Sequence, residues 1–309
     1  MKTTTKIKVV GVGGSGSNTI SRMAKCKIKG VELVAINADA QDLKKAKAHF
    51  KIRIGKNLTK GLGTGMNPEI GKKSAEEQKE EISKILKGSD MVFVTCGLGG
   101  GTGSGAAPII AEIAKSLGAL TIGIVTKPFS FEGLSRMRIA EKGQRLLKKK
   151  VDALLAIQND KLLEILEAKT TVLNAFWLCD DILRQAVQGI SDLILLPGII
   201  NVDFANVKTI MKDSGSALFG IGRAKGEKRA QRAALAAINS PLLDISPKGA
   251  RGILFNVSGG KDISLSEIDE ISRIFTEEIS PEAKIVFGAV YDEKLRKGEL
   301  KVTIIATGF

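Results

Sequence analysis

Between Gly97 and Gly105 the chain places six glycines in nine positions, Gly-Leu-Gly-Gly-Gly-Thr-Gly-Ser-Gly, directly after the apolar run Met91 to Val94. A segment of this kind has few side chains to bury and presents backbone instead. Glycine lacks a Cβ and tolerates positive φ, so successive N–H groups can turn inward around one anion. The stretch that follows, Ile109 to Leu117, has helical spacing, and a helix amino end adds partial positive charge at the same place. Strand, glycine loop and helix in that order predict a phosphate-binding site at the end of a sheet.

The surrounding sequence supplies the sheet. Lys8 to Val12, Val31 to Ile36, Ile52 to Ile54, Met91 to Thr95, Leu120 to Val125 and Ala153 to Ile157 read as hydrophobic strands. Between them, Ser17 to Lys27 and Ala40 to Lys47 read as helices, and Asn67-Pro68-Glu69 opens another that continues to Leu86. This alternation predicts an α/β fold with a parallel sheet covered on both faces, ligands binding at the carboxyl ends of the strands. Thr171 to Leu196 then shows helical periodicity for about seven turns, ended by Pro197-Gly198. Beyond it come a helix at Glu227 to Asn239, a strand at Gly252 to Val257 and a capping box, Ser264 to Glu267, opening a helix to Ile279. Strands at Ile285 to Val290 and Lys301 to Thr307 follow. The expected organisation is one α/β domain over 1–170, a central helix over 171–196 and a smaller α/β domain over 197–309.

Composition removes several classes. The chain has 309 residues, 43% hydrophobic and 26% charged, enough for two domains with their own cores. The longest candidate for a membrane span, Ala106 to Val125, is interrupted by Glu112 and Lys115, so direct membrane insertion is not expected. Lys6 to Val12 reads as a buried strand rather than a signal peptide. Cys26, Cys96 and Cys179 are odd in number and far apart, which fits unpaired thiols in a reducing cytoplasm. His49, the sole histidine, has no cysteine or carboxylate cluster beside it, and no protein metal ligand is expected. A net charge of +14 raises the question of a polyanionic partner, but aromatics are 4% and the lysines are scattered. Stacking platforms for bases are therefore scarce and nucleic-acid binding is not expected.

Three glycine-loop readings compete for the phosphate. Gly11-Val12-Gly13-Gly14-Ser15-Gly16 fits the dinucleotide pattern, and Asp39 supplies an acid after the second strand. That fold uses one glycine loop, however, and this chain has two. A Walker loop fails at Gly65 to Ser74, where the spacing is one residue too long and Lys73 displaces the hydroxyl. The third reading places one ligand between both loops.

That third pattern resembles the tubulin/FtsZ superfamily, whose signature G-G-G-T-G-[ST]-G is met by Gly99 to Gly105, and the likeness to its FtsZ branch covers essentially the whole chain. It includes Val12 to Asn18, Asn37 to Gln41, Gly61 to Gly65 with Asn67-Pro68-Glu69, Lys127 to Phe129 with Phe131 to Gly133, Gln158 to Asp160, Arg184 to Ile190 and Asn201 to Ala205. The resemblance implies a tubulin-like fold binding GTP or GDP, with Mg2+ held through phosphates and water. It implies that Gly14, Ser15, Gly16, Ser17, Gly99, Gly100, Gly101, Thr102 and Gly103 hold phosphates, with Asn37, Asp39 and Gly65 on the adjoining loops. Glu132 and Arg136 match ribose contacts. Asn18, Asn159 and Asp180 match guanine-reading positions, and Phe176 matches a residue that stacks on the ring. A carboxylate suits guanine, which offers paired N1–H and N2–H donors.

The resemblance further implies head-to-tail self-assembly into open filaments. The loop carrying Asn201, Asp203 and Asn206 would complete the neighbouring subunit's site and position the attacking water. The family's pattern there is Asn-x-Asp-x-x-Asp, and this chain has Asn206 in the last place. An amide accepts no proton, so hydrolysis is expected to be slow. The expected function is a cytoplasmic GTPase polymerising at the mid-cell division ring, with accessory proteins docking on a carboxyl-terminal tail where one follows. The alternatives are a GTP-binding filament with little hydrolysis and a DNA-segregating tubulin relative.

Overall fold

The computed structural model describes residues 5–28, 30–164, 166, 169–196, 198–240, 248–277, 279–280, 282–292 and 295–309. The chain divides into two compact units, residues 1–188 and 189–309, and the division falls inside helix α8 (Val172–Leu195).

The first unit is built on strands β1 (Ile7–Val12), β2 (Val31–Asn37), β3 (Phe50–Arg53), β4 (Met91–Gly97), β5 (Leu120–Lys127) and β6 (Ala153–Gln158). They pair in the order β3-β2-β1-β4-β5-β6, parallel throughout. The order reverses between β1 and β4, which makes that crevice the topological switch point where such sheets bind ligands. Gly11 is level with Thr95 in the register, so the glycine loops after β1 and β4 emerge side by side. The central strands β1, β4 and β5 are buried almost throughout, as expected of a parallel sheet with both faces covered, whereas three of the four residues of edge strand β3 are exposed.

The helices depart from the sequence reading in instructive ways. Helix α1 spans Gly13–Lys25 and α5 spans Gly101–Ser116, so both begin inside the glycine loops rather than at Ser17 and Ile109. Part of the glycine content of the second loop serves packing. Helix α3 (Pro68–Glu77) crosses α5 so closely that a Cβ on Gly105 would lie 2.0 Å from the Pro68 carbonyl oxygen. A Cβ on Gly101 would lie 2.4 Å from the Thr64 hydroxyl, and one on Gly71 would lie 2.3 Å from the Gly101 carbonyl oxygen. The stretch from Asn67 to Leu86 is two helices, α3 and α4 (Lys79–Leu86), broken at Gln78, whose side chain accepts a bond from Gly55 N–H. Asn67 caps α3 by accepting from Glu69 N–H at 2.9 Å. Helices α2 (Ala40–Lys45), α6 (Leu134–Lys148) and α7 (Asn159–Leu163) complete the unit. The sequence reading missed α6 because only Ala140, Gly143 and Leu147 of it are buried, too thin an apolar stripe to set a period.

In the second unit β7 (Gly198–Ile200), β8 (Gly215–Lys225), β9 (Gly252–Gly259), β10 (Lys284–Tyr291) and β11 (Glu299–Thr307) pair in the order β8-β11-β9-β10-β7. Only β9 and β10 are parallel; the remaining pairs are antiparallel. Helices α9 (Phe204–Met211), α10 (Arg229–Ile238) and α11 (Leu265–Glu277) accompany them. Strand β8 also escaped the sequence reading. It contains Gly220 and Gly222, and a Cβ on either would meet an α10 carbonyl oxygen at 2.1 or 1.9 Å. The close approach of α10 requires those glycines. The capping box at Ser264 is present: Glu267 accepts from Ser264 N–H at 2.9 Å, and the Ser264 hydroxyl accepts from Glu267 N–H at 3.3 Å. Among the described residues, no helix is long and apolar enough to cross a membrane.

Candidate nucleotide-binding site

A cleft of about 600 Å³ opens at the switch point of the first unit, a volume in the range that holds a small-molecule ligand. Its floor is the junction of β1 with α1 and of β4 with α5. The N-cap positions of the two helices are Val12 and Gly100, and neither makes a side-chain capping bond. Their first-turn N–H groups therefore lack the partner a helix start usually recruits, and both dipoles favour an anion there. The loops touch: a Cβ on Gly13, whose φ is +74°, would lie 3.2 Å from Gly103 N. Around Gly100, by contrast, such an atom would meet nothing within 4 Å.

Of the residues singled out from sequence, Gly14, Ser15, Asn18, Asn37, Asp39, Gly65, Gly100, Gly101, Thr102, Gly103, Glu132, Arg136, Asn159, Phe176 and Asp180 line this one cleft. Gly16, Ser17 and Gly99 do not. Gly16 faces the sheet, where a Cβ would come within 2.8 Å of the Thr95 carbonyl oxygen, and so lets α1 approach β1 and β4. Gly99 shapes the turn, with φ +97° and its N–H donated to the Ser104 hydroxyl at 2.9 Å. Ser17 is on the buried side of α1.

The walls are held by local bonds. Asp39 caps α2, one oxygen accepting from Gln41 and Asp42 N–H, while Asn37 Oδ1 accepts from Asp39 N–H at 3.1 Å. Glu132 accepts from Phe129 N–H at 2.9 Å and pairs through its other oxygen with Arg136. Phe176 packs edge-on to Phe129, centroids 5.4 Å apart. Two polar atoms stand out. Asn37 Nδ2 and Asn159 Oδ1 are buried and have no hydrogen-bond partner. Buried polar groups are normally paired, so a donor and an acceptor left open in one cleft fit a polar ligand.

At the α8 end, Asp180 is 7% exposed. It accepts from the Thr19 hydroxyl at 3.0 Å and from Arg22 Nε at 2.9 Å. Burial raises its pKa above the ordinary carboxylate range, and the bonds from Thr19 and Arg22 oppose that rise. The Arg22 guanidinium lies 5.3 Å from the centre of the Trp177 ring, a cation–π distance. Thr19, Arg22 and Trp177 were not anticipated. Their signal is three-dimensional, since Thr19 and Arg22 lie one and two helical turns beyond Ser15 on α1 and meet Asp180 only in the fold. Cys179, also in the cleft wall, is a neutral thiol, pushed up to about 12 by burial.

Asn201, Asp203 and Asn206 belong to the second unit and none lines the cleft. Asn201 Oδ1 accepts from Gly198 N–H at 2.8 Å. Asp203 holds the N-cap position of α9 but makes no side-chain capping bond, its carbonyl instead accepting from Asn206 N–H at 2.9 Å. All three residues are exposed.

The family model for the GTPase domain of the Tubulin/FtsZ family matches residues 6–167, and that for the FtsZ family C-terminal domain matches residues 215–309. Among solved structures, an empty FtsZ dimer from M. jannaschii is 48% identical, covering 100% of this chain and 89% of that one, with a TM-score of 0.95. A tryptophan-to-tyrosine mutant of M. jannaschii FtsZ is likewise 48% identical over 99% of this chain and 91% of that one, TM-score 0.95. A GTPγS-bound CetZ2 protofilament from Haloferax volcanii shares the fold at 22% identity, covering 97% and 92% of the two chains, TM-score 0.80. The chain belongs to the Tubulin/FtsZ family. Residues 6–167 are the family's GTPase domain, whose ligand class is GTP or GDP.

Proposed function

We propose that the protein polymerises head to tail in the cytoplasm, assembles at the mid-cell division ring, and hydrolyses GTP slowly at the junction of successive subunits. The phosphates lie against the uncapped starts of α1 and α5, held by the backbone of Gly14, Ser15 and Gly100 to Gly103. Asp180 and Asn159 read the guanine, Phe176 covers its face, and Glu132 takes the ribose. Magnesium bound with the triphosphate would be held by phosphates and water and would supply charge neutralisation for phosphoryl transfer. Assembly is supported by the family's occurrence as an FtsZ dimer at 48% identity.

One observation carries the hydrolysis reading. Asp203 and Asn206 are exposed and absent from the cleft lining, as groups serving a neighbour's nucleotide would be. Asp203 supplies the carboxylate that orients the water. Asn206 cannot add a second, and loss of a proton-accepting carboxylate costs on the order of 10²–10⁴ in rate. The same residue favours a second reading, a filament that binds GTP with almost no turnover.

GTP and GDP pelleting with phosphate release measured in the same tube tests the proposal. Polymer forms with GTP and not with GDP, phosphate release is slow, and Asn206→Asp accelerates it. Equal pelleting with both nucleotides would sink the assembly reading. Unchanged turnover in Asn206→Asp removes Asn206 as the limiting feature, and turnover at background in the parent selects the second reading.

A further inference from the structure

A smaller cleft of about 180 Å³ opens beside the nucleotide site and shares Asn18 and Asp42 with it. It lies between α1 and the end of α2, and its charged lining is Lys25, Lys45 and Lys47 against Asp42. Among the described residues, none of the three ammonium groups has a hydrogen-bond or ion-pair partner. Ser17 forms part of the wall, is 3% exposed, and its hydroxyl has no partner. The neighbouring Ser21 hydroxyl is engaged on both sides: it donates to the Ser17 carbonyl at 2.7 Å and accepts from Lys47 N–H at 2.9 Å. That pair of bonds fixes the segment after α2 against α1 and so sets the shape of the cleft.

Helix dipoles explain part of this charge. Lys25 and Lys45 stand in the last turns of α1 and α2, where cations offset the negative helix end. They do not explain Lys47, nor a buried hydroxyl left without a partner, an arrangement that costs free energy unless something fills it. Three like charges around one small cavity, with a single carboxylate to oppose them, also repel one another. An anion between them removes both costs.

We propose that this cleft binds a small tetrahedral oxyanion of the inorganic phosphate class, gripped by the ammonium groups of Lys25, Lys45 and Lys47 and by the Ser17 hydroxyl. The site is separate from the cradle that holds the nucleotide's own phosphates.

The test is calorimetric titration of the GDP-loaded protein with inorganic phosphate at low ionic strength. Saturable binding is expected, weakened about tenfold by each lysine-to-alanine change and weakened also by Ser17→Ala. The triple variant Lys25→Ala, Lys45→Ala, Lys47→Ala shows no saturable binding while its melting temperature stays at the parent's, because all three side chains are exposed. A control pair at the carboxyl end of α6, Lys148→Ala with Lys149→Ala, binds phosphate as the parent does. Absence of saturable binding in the parent overturns the proposal. So does a triple variant that binds as well as the parent, or a control pair that loses binding to the same degree.

Discussion

The two units contain opposite treatments of a buried polar cluster. In the second, Arg229 is 8% exposed and its guanidinium is gripped on every side. Glu267 accepts from Nε and Nη2, the Asp262 carboxylate accepts from Nη1, and the Asp262 carbonyl accepts from Nη2. These bonds hold both carboxylates below their ordinary range and push the arginine up. In the first unit, Asn37 and Asn159 are as deeply buried, yet each keeps a polar atom without a partner at the cleft, and α1 and α5 begin without side-chain caps. A closed network fixes a fold, whereas an open one on a cavity wall is completed by a ligand. Atoms without partners occur elsewhere too, at Ser74, Thr95, Ser191 and Asn256; what marks the cleft is that Asn37 and Asn159 stand there together with two uncapped helix starts.

The sharpest way to break the contrast uses glycines of the same loop. Gly105→Ala forces a Cβ against the Pro68 carbonyl and should lower stability by about 3 kcal/mol, read by urea unfolding. Gly100→Ala has open space around it; it should leave stability unchanged and weaken GTP binding about tenfold, because the new methyl occupies ligand space. If Gly100→Ala binds GTP as the parent does, that loop is not the cradle. Next in size, Arg229→Ala should destabilise by about 2 kcal/mol by leaving Glu267 without its partner, with GTP affinity unaltered. A loss of affinity there would mean that the closed network also serves the site. Asp180→Asn should reverse that pattern, weakening GTP by about tenfold to thirtyfold through the lost charged acceptor while costing little stability.

The smallest effect is in pH. Asp180 has a raised pKa in the fold, so it protonates at higher pH than an ordinary carboxylate and ceases to accept from guanine as the solution is acidified. GTP affinity should fall several-fold on acidification, starting at higher pH than an ordinary carboxylate would set, and Asp180→Asn should abolish that slope. Asp262 and Glu267 have lowered values. Their contribution to stability is complete above the ordinary carboxylate range and is lost only as pH falls through the lowered values. Unfolding of the second unit should therefore be flat over the window in which GTP binding declines.

Much of this was legible in sequence, for definable reasons. Parallel strands buried on both faces read as unbroken apolar runs, so β1, β2, β4 and β5 were placed within a residue or two. Glycine proved ambiguous because two pressures select it. At Gly100 it leaves room for a ligand, at Gly105 and Gly222 it admits a neighbouring carbonyl, and a chain alone does not separate these cases. Strand β8, which carries Gly220 and Gly222, is a case of that ambiguity. Local patterns with a fixed offset, such as Ser264 with Glu267, survived intact. Pairs distant in sequence, such as Arg22 with Asp180, leave no trace until the fold joins them.

The most direct test of the account is a titration that compares GTP, ATP and NAD on the same protein. Trp177, the sole tryptophan, sits 51% exposed beside Arg22, the partner of Asp180, and its fluorescence should report binding. GTP should saturate the signal at concentrations about a hundredfold below those needed for ATP, and NAD should leave it unchanged. Equal affinity for the adenine and guanine nucleotides would contradict the assignment of Asp180 and, with it, the reading of the cleft.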